Sequence, residues 1–300
     1  MVQLPFGRLM TAMVTPFEAD GGLNVGEARR LAAYLVDEQH NDALLINGTT
    51  GESPTTTDAE KLALLQAVKA EVGDRAKIVA GVGTNETAAT IDRARDAEEA
   101  GCDGVLVVTP YYSKPPQDAL VEHFTMVADA TSLPVMLYDI PGRTGTPIEP
   151  ATMIEVAKHP HVVAVKDAKG SPVTSAHVMA ETDLAFYSGD DAMTLSLMAV
   201  GGVGVVGTST HFTGVLAKPM MEAFAAGDTG TALELYRRLL PVFTGVFATQ
   251  GCMLVKAGLA ARGWATETLR RPLKAASAEQ QAAFVALLDG RVIGSVRLWP

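Results

Sequence analysis

The sequence has few cysteines, and they are too far apart to suggest a site. Only Cys102 and Cys252 occur in 300 residues, and no CxxC spacing is present. Neither a disulfide framework nor a cysteine zinc site is therefore expected. Two isolated cysteines suit a reducing compartment, so the sequence predicts a cytoplasmic protein.

Positive charge is also scarce. The chain has 24 Lys and Arg residues against 34 Asp and Glu residues, which gives a net charge of −10. Nucleic acids and anionic membranes are bound by basic surfaces, so we expect neither as a partner. Small anionic substrates are still compatible with this charge, because a few cations in a pocket can outweigh a diffuse acidic surface.

Long apolar runs are missing as well. The longest nearly continuous run, at 195–206, is too short and too rich in glycine to span a bilayer. The first ten residues show no basic region followed by an apolar stretch. The sequence therefore predicts neither a membrane span nor a signal peptide.

Short apolar segments alternate regularly with longer segments rich in Ala, Glu, Lys and Arg. Apolar residues make up 48% of the chain, enough for a large core. The apolar runs lie at 9–14, 43–47, 78–82, 104–109, 135–139, 162–166, 184–188 and 203–207. Continuous apolar runs are typical of parallel strands buried on both faces. Eight strand–helix units in a row favour a (β/α)₈ TIM barrel, an α/β fold, over an open doubly wound sheet.

The segments between the runs have apolar residues at helical spacing. We predict helices at 27–39, 58–72, 87–100 and 118–130. Asp58 and Thr87 are the predicted N-cap residues of two of them. Residues 1–229 are assigned to the barrel and residues 230–300 to a C-terminal helical extension packed on it. No low-complexity linker precedes the extension, so we do not expect a separate second domain.

Polar, aromatic and glycine-rich residues follow the predicted strands. These segments are GTTGES (48–53), TPYYSKPP (109–116), YDIPGRTG (138–145), KDAKG (166–170), SGDD (188–191) and GTSTH (207–211). In a barrel of this kind the active site lies at the C-terminal ends of the strands. The sequence therefore places the candidate site in these segments.

Lys166 is the most informative of these residues, because it ends the buried run VVAVK. A free lysine has a pKa near 10.4, so only roughly one in 2,500 is neutral at pH 7. Burial in an apolar barrel lowers that pKa, and a neutral amine can attack a ketone to form an imine. This chemistry requires no metal or cofactor, and we expect none. Alternatively, Lys166 points to solvent or pairs with Asp167, although strand alternation should turn Asp167 away.

Neighbouring strand ends support the first interpretation of Lys166. Tyr138 could relay protons. Thr49 and Thr50 could offer hydroxyl and backbone N–H groups to a small carboxylate. Arg143 could bind a second carboxylate. Each feature also has an ordinary structural explanation: Tyr138 as a core aromatic, the segment around Thr49 and Thr50 as a turn, and Arg143 as a surface charge. That all of these explanations hold together is the less favoured interpretation.

In this order, the motifs GTTGE, TPYY, YxxPxRTG, VKDAKG and SGDD resemble those of the dihydrodipicolinate synthase/N-acetylneuraminate lyase family. The resemblance covers residues 5 to about 290 and is closest to the synthase members. It implies a lyase of lysine and diaminopimelate biosynthesis that condenses pyruvate with L-aspartate 4-semialdehyde. The only covalent intermediate it implies is an imine between Lys166 and pyruvate, with no bound cofactor.

The resemblance also implies individual roles. Lys166 would form the imine, and Tyr138, Thr49 and Tyr112 would form the proton relay, with Tyr112 reaching across from a neighbouring subunit. The substrate-binding residues would be Thr50 for the pyruvate carboxylate, Arg143 for the semialdehyde carboxylate, and Gly189 and Val206 through their backbone. A homotetramer built as a dimer of dimers is implied, with the dimer as the catalytic unit.

Two positions depart from the pattern of family members that L-lysine inhibits. Those members have a histidine and a glutamate where this chain has Lys61 and Ala89, whereas Ser53, Asn85 and Tyr111 are kept. We therefore expect weak or absent feedback inhibition. The GTSTH segment also departs from the serine–valine–threonine/alanine–asparagine run that is more usual at the pocket floor of the family.

Other interpretations are less favoured. Another pyruvate-dependent enzyme, such as N-acetylneuraminate lyase or a 2-keto-3-deoxy sugar acid aldolase, would use Lys166 and Tyr138 equally well, but Arg143 favours a substrate with a second carboxylate. The GxGxxG match at 202–207 lies inside a predicted strand instead of the turn that dinucleotide binding requires. His159 and His161 precede a strand, away from the site, which argues against a metal centre. A catalytically inactive barrel would have lost Lys166 or Tyr138.

Overall fold

The computed structural model describes residues 4–290, 292–293 and 296–297. Eight parallel strands follow one another in chain order and close into a barrel. They are β1 (Leu9–Ala12), β2 (Ala43–Ile46), β3 (Lys77–Gly81), β4 (Gly104–Val108), β5 (Val135–Asp139), β6 (Val162–Asp167), β7 (Ala185–Ser188) and β8 (Gly204–Gly207). The last strand pairs with the first, with Leu9 opposite Val205. The predicted TIM barrel is therefore confirmed.

The strands have one face toward the barrel interior and one toward the surrounding helices. Met136 and Ala164 belong to a buried inner cluster, whereas Leu137 and Val165 belong to the larger cluster between strands and helices. Both faces are apolar, which explains why the strands read as continuous apolar runs. Because side chains alternate along a strand, the residues two positions after Met136 and Ala164 also face the interior.

Helices surround the barrel. They are α1 (Val25–Asp37), α2 (Asp58–Val72), α3 (Thr87–Glu99), α4 (Gln117–Asp129), α5 (Pro141–Thr144), α6 (Pro150–Val156), α7 (Pro172–Glu181), α8 (Thr194–Met198), α9 (Thr210–Ala225), α10 (Thr229–Gly245), α11 (Gly251–Ala260) and α12 (Ala278–Asp289). Short 3-10 turns occur at Ser53–Thr55 and Asp191–Met193. None of the helices within the described ranges combines the length and apolar character that crossing a membrane requires.

The two predicted N-caps are wrong by one residue. Thr57 caps α2 in a capping box with Glu60, so Asp58 is the first helical residue. Glu86 precedes α3, and Thr87 is its first residue. In α2 the hydroxyl of Thr57 accepts a hydrogen bond from the Glu60 backbone N–H, which an aspartate one position later is not placed to do.

The segment assigned to the extension contains α10, α11 and α12 within its described part. Tyr236 of α10 donates a hydrogen bond to the Ala192 carbonyl at 2.8 Å, and Phe284 of α12 packs on Phe212 of α9 with ring centroids 5.8 Å apart. The strands β9 (Val292–Ile293) and β10 (Val296–Arg297) then form an antiparallel pair, which the helical prediction for 230–300 did not include. Residues 291, 294–295 and 298–300 lie outside the described residues.

Closure of the barrel predicts an effect of Gly204→Ala. A Cβ at Gly204 would lie 2.1 Å from the Arg8 carbonyl oxygen, at the seam where Val205 N–H donates to that oxygen at 2.9 Å. Since backbone cannot move aside cheaply, we expect a loss of about 1–3 kcal/mol in the free energy of unfolding. Chemical denaturation followed by circular dichroism measures it.

Gly230→Ala is the matched control, because a Cβ there meets only the Asp228 side chain, at 3.7 Å. We expect no loss of stability in that variant. Equal stability of the Gly204→Ala and Gly230→Ala proteins would contradict the account of the seam.

Candidate active site

Lys166 lies at the C-terminal end of β6 and faces the barrel interior, two positions after Ala164. Its side chain is buried, with 5% of the residue exposed, and its Nζ lies 4.3 Å from the centre of the Tyr138 ring. Within the described part of the chain, Nζ has no hydrogen-bond or ion-pair partner. Burial lowers the pKa of Lys166 to about 8; the charge of Asp191 raises it and that of Arg143 lowers it. Roughly a tenth of the amine is therefore neutral at pH 7.

Asp167 does not neutralise Lys166. It accepts a hydrogen bond from the Lys169 backbone N–H at 2.9 Å and another from the Ser175 hydroxyl. Next to it, Asp139 forms an ion pair with Lys169 at 2.8 Å. Both carboxylates therefore serve contacts outside the barrel, as strand alternation predicts.

Tyr138 is the direct neighbour of Lys166 on the adjacent strand, because the register pairs these two residues. Burial raises the pKa of Tyr138 to about 12, while Arg143 and the Thr49 hydroxyl act in the opposite direction. The phenol is therefore protonated near neutral pH. A protonated phenol next to an amine can pass a proton to or from a group attached to that amine.

Thr49 and Thr50 lie in the tight turn that follows β2. The turn is closed by hydrogen bonds from Gly51 N–H to the Gly48 carbonyl at 3.0 Å and from Glu52 N–H to the Thr49 carbonyl at 3.1 Å. The Thr50 hydroxyl lies 3.4 Å from that of Thr208. The backbone N–H groups of Thr49 and Thr50 donate to no other described residue, so they are free to donate hydrogen bonds to a ligand carboxylate.

Arg143 lies in α5, the short turn after β5, and its side chain is exposed. It has no ion-pair partner among the residues the structure describes. Arg143 and Tyr138 line the same cavity of about 920 Å³. An exposed, unpaired guanidinium at a cavity wall can take a carboxylate in a bidentate hydrogen bond.

The cavity has a strong charge bias. Its described lining contains four cationic side chains and no carboxylate, although the whole chain has a net charge of −10. The cations are Lys61, Arg93, Lys114 and Arg143. Such a lining concentrates small anions against the general field of the protein.

Tyr112 is the one predicted catalytic residue that a single chain leaves in solvent. It is 90% exposed, although it borders the cavity. Its backbone is left-handed, with φ of +76°, which is uncommon for a bulky residue. The preceding Tyr111 instead turns inward, and its hydroxyl lies 3.3 Å from that of Thr84.

Gly189 directly follows β7, the strand beside β6, and Val206 lies within β8. The Gly189 N–H donates to the Asp167 carbonyl at 2.7 Å, and a Cβ at Gly189 would meet Lys166 Cγ at 3.1 Å. Val206 is buried in the inner cluster. Gly189 therefore approaches Lys166 closely through its backbone, and a larger residue there would crowd the Lys166 side chain.

Asp191, the last residue of the SGDD segment, acts on the site although it is not among the predicted site residues. Asp191 is fully buried and accepts hydrogen bonds from the backbone N–H groups of Thr208 and Ser209 at 3.0 Å and from the Ser209 hydroxyl at 2.5 Å. Burial raises its pKa, and these hydrogen bonds oppose the rise. Asp191 thus fixes the start of the GTSTH segment and supplies the negative charge that Lys166 senses. The sequence signal for this role was the pair of adjacent acidic residues, Asp190 and Asp191, directly after a predicted strand.

The two alternative motifs lie where the sequence analysis expected. His159 contacts Asp129 at 3.0 Å, and His161 contacts the Ala128 carbonyl at 3.1 Å; both precede β6 at the opposite end of the barrel. Of the GxGxxG glycines, Gly204 and Gly207 lie within β8 itself. The histidines therefore lie away from the site, and the glycine motif does not form the strand-to-helix turn that dinucleotide binding requires.

The lowered pKa of Lys166 predicts its reactivity. Reductive methylation requires the neutral amine, so the labelling rate at Lys166 should rise with pH and reach half its maximum near pH 8. Below that pH the rate should fall about tenfold per unit. Peptide mass spectrometry over a pH series measures it.

The same lysine in the urea-unfolded chain is the control, with an expected midpoint near 10.4. A midpoint near 10.4 in the folded protein as well would show that burial does not activate this amine.

Comparison with known proteins adds evidence independent of the geometry. Residues 5–290 match the model of the "Dihydrodipicolinate synthetase family". Two curated proteins named 4-hydroxy-tetrahydrodipicolinate synthase are similar over nearly their whole length. The one from Cutibacterium acnes is 59% identical over 284 residues, covering 95% of this chain and 97% of that protein. The one from Acidothermus cellulolyticus is 62% identical over 278 residues, covering 93% of this chain and 90% of that protein.

Solved structures agree with the sequence relatives. A dihydrodipicolinate synthase of Bacillus anthracis has a TM-score of 0.91 at 38% identity, with 96% of this chain and 98% of that chain covered. The enzyme of Cyanidioschyzon merolae, solved with lysine bound, has a TM-score of 0.93 at 38% identity, with 95% of this chain and 98% of that chain covered.

Proposed function

The chain belongs to the dihydrodipicolinate synthetase family, and we propose that Lys166 is the residue through which it acts on pyruvate. Its activity is that of a 4-hydroxy-tetrahydrodipicolinate synthase, a lyase of lysine and diaminopimelate biosynthesis. The name shared by relatives at 59% and 62% identity supports this activity over that of a sugar-acid lyase or aldolase. We propose a cytoplasmic setting, which the two buried free cysteines support.

One observation carries the mechanism: a buried amine without a hydrogen-bond partner among the described residues lies against a tyrosine ring. Neutral Lys166 attacks the ketone carbon of pyruvate, and loss of water gives an imine. Removal of a proton from the pyruvate methyl group gives an enamine, whose carbon attacks the aldehyde of L-aspartate 4-semialdehyde. The amino group of that substrate then closes the ring and displaces Lys166.

The other residues of the proposal handle protons and the pyruvate carboxylate. Tyr138 and Thr49 pass protons to and from the imine, which the pairing of Tyr138 with Lys166 and the hydrogen bond between Tyr138 and Thr49 support. The open N–H groups of Thr49 and Thr50 hold the pyruvate carboxylate. Gly189 and Val206 line the pocket through their backbone. No bound cofactor takes part in this sequence of steps.

Arg143 binds the carboxylate of the semialdehyde in this proposal. Its exposed guanidinium and the cationic lining of the cavity support the assignment. A sugar acid would present hydroxyl groups at the same place, and an unpaired guanidinium is a poorer match for hydroxyls than for a second carboxylate.

Tyr112 completes the relay in a neighbouring subunit. An aromatic side chain that is 90% exposed and held by a left-handed backbone supports insertion into a partner. We propose a homotetramer built as a dimer of dimers, in which the dimer is the catalytic unit.

Turnover measured with several alternative substrates tests the proposed function. The wild-type chain should condense pyruvate with L-aspartate 4-semialdehyde far faster than it processes N-acetylneuraminate or 2-keto-3-deoxy sugar acids. Lys166→Ala should fold normally and lose at least about 10⁴-fold in kcat, since the nucleophile is gone. A folded Lys166→Ala protein with normal turnover would contradict the mechanism.

Arg143→Gln should weaken binding of the second substrate selectively. Removing a charged hydrogen bond of about 1.5–3 kcal/mol should raise KM for the semialdehyde about 10- to 100-fold, with little change in KM for pyruvate. Steady-state kinetics with each substrate varied in turn separates the two constants.

Arg93→Gln is the matched control, because Arg93 lines the same cavity but is paired with Asp58 at 2.7 Å. It should leave both constants nearly unchanged. A similar rise in both variants would mean that overall positive potential, and not Arg143 itself, selects the substrate.

L-Lysine should inhibit this enzyme weakly or not at all. Burial, together with the nearby charge of Arg93, lowers the pKa of Lys61 to about 8, so Lys61 is still mostly cationic at pH 7. Its Nζ lies 2.5 Å from the Thr56 carbonyl oxygen in the cavity that a lysine effector would enter, where it repels an ammonium group.

The measurement is turnover against L-lysine concentration, beside the Lys61→His/Ala89→Glu variant, in which sensitivity should appear. Half-inhibition of the wild-type enzyme at micromolar L-lysine would overturn the prediction.

A further inference from the structure

Glu52 is part of the GTTGE motif, and the proposed chemistry leaves it without a role. It follows the carboxylate-binding turn directly, and it is 2% exposed. Its backbone is left-handed, with φ of +57°. A buried carboxylate in a backbone conformation that non-glycine residues seldom adopt must be stabilised by its surroundings.

The partner of Glu52 lies 204 positions later in the chain. Lys256 of α11 has no exposed side-chain surface, and its Nζ lies 2.5 Å from Glu52 Oε1. Lys256 also donates to the Thr268 carbonyl at 2.8 Å. The second oxygen of Glu52 accepts from the Arg270 backbone N–H at 3.0 Å. Both carboxylate oxygens are thus bound by the C-terminal part of the chain.

An aromatic ring covers the pair. The Phe17 ring lies 4.4 Å from Lys256 Nζ and 4.3 Å from the Arg270 guanidinium carbon. The Arg270 guanidinium donates to the Gly21 and Thr55 carbonyls and to Glu60. The contact between the barrel loop and α11 is therefore desolvated, so breaking it would leave a buried charge unpaired.

The pair acts on the turn through the backbone. Glu52 N–H closes the turn onto the Thr49 carbonyl at 3.1 Å, and Gly51 is held from the other side by the Thr15 hydroxyl at 2.7 Å. Releasing Glu52 would free one end of the segment that aims the Thr49 and Thr50 N–H groups.

We propose that Lys256 is a positioning residue for pyruvate: its buried ion pair with Glu52 fixes the Thr49–Thr50 turn in the orientation that receives the pyruvate carboxylate. The C-terminal extension would thereby contribute to substrate affinity without touching the substrate. This inference rests on the proposed function, because it concerns the pyruvate subsite of that reaction.

Steady-state kinetics of Lys256→Met test the inference. We expect KM for pyruvate to rise about 10- to 100-fold, as for a misplaced binding group, while KM for the semialdehyde stays within about twofold. A general loss of structure would change both constants or lower kcat alone, so the split between them separates positioning from mere stability.

A second variant covers the case in which Lys256→Met does not fold. Glu52→Gln/Lys256→Met removes both charges, so no unpaired charge stays buried and folding is expected. Its KM for pyruvate should be raised as much as in the single variant, because the same contact is lost in both. A KM for pyruvate within about twofold of wild type in the folded double variant would overturn the inference.

Lys218→Met is the matched control. Lys218 pairs with Asp42 at 2.6 Å, just before β2, whereas Glu52 lies beyond the other end of the same strand. The Lys218→Met variant should leave KM for pyruvate unchanged. A rise in KM for pyruvate equal to that of Lys256→Met would also overturn the inference. If wild-type protein does not turn over pyruvate at all, the proposed function fails instead.

Discussion

The site depends on the burial of one ammonium-bearing side chain inside a closed barrel. Lys166 is 5% exposed, and no carboxylate among the described residues forms an ion pair with it. Desolvation lowers its pKa to about 8, since an apolar surrounding penalises the charged form. The strand register then places Tyr138 directly beside it, and alternation turns Asp167 outward to Ser175. A different register would put Asp167 where Lys166 now lies and would leave no nucleophile in the interior.

Around this amine the structure arranges donors for anions. The turn after β2 presents two open N–H groups, and the cavity wall presents four cations without a carboxylate in its described lining. These features contrast with the net charge of −10 of the whole chain. The buried ion pair of Glu52 and Lys256 connects the turn that carries the Thr49 and Thr50 N–H groups to α11. None of the residues of α11 lines the cavity. In the proposed mechanism the barrel supplies the nucleophile, and the loops and the C-terminal extension orient the substrate.

Local sequence pattern was enough for the barrel and for bringing Lys166 and Tyr138 together in the candidate site. Eight apolar runs gave the eight strands to within a few residues, and VVAVK identified Lys166 because a charge at the end of a buried strand is conspicuous. Contacts between distant segments were not accessible in this way. Nothing near Glu52 reveals that its partner is Lys256, and the outward, left-handed conformation of Tyr112 is a property of the folded loop. Asp191 was overlooked because its role comes from Ser209, which belongs to another strand end. The N-cap errors arose from adjacent polar residues, Thr57 and Asp58, between which only hydrogen-bond geometry decides.

Borohydride reduction in the presence of pyruvate tests the central claim most directly, because it captures the imine at the residue that forms it. Peptide mass spectrometry of the reduced wild-type protein should find a reduced pyruvyl group on Lys166, and the yield should rise with pH toward about 8. The Lys166→Ala protein should carry no such group. A folded protein that binds pyruvate but shows no adduct on Lys166, or an adduct on a different lysine, would contradict the account.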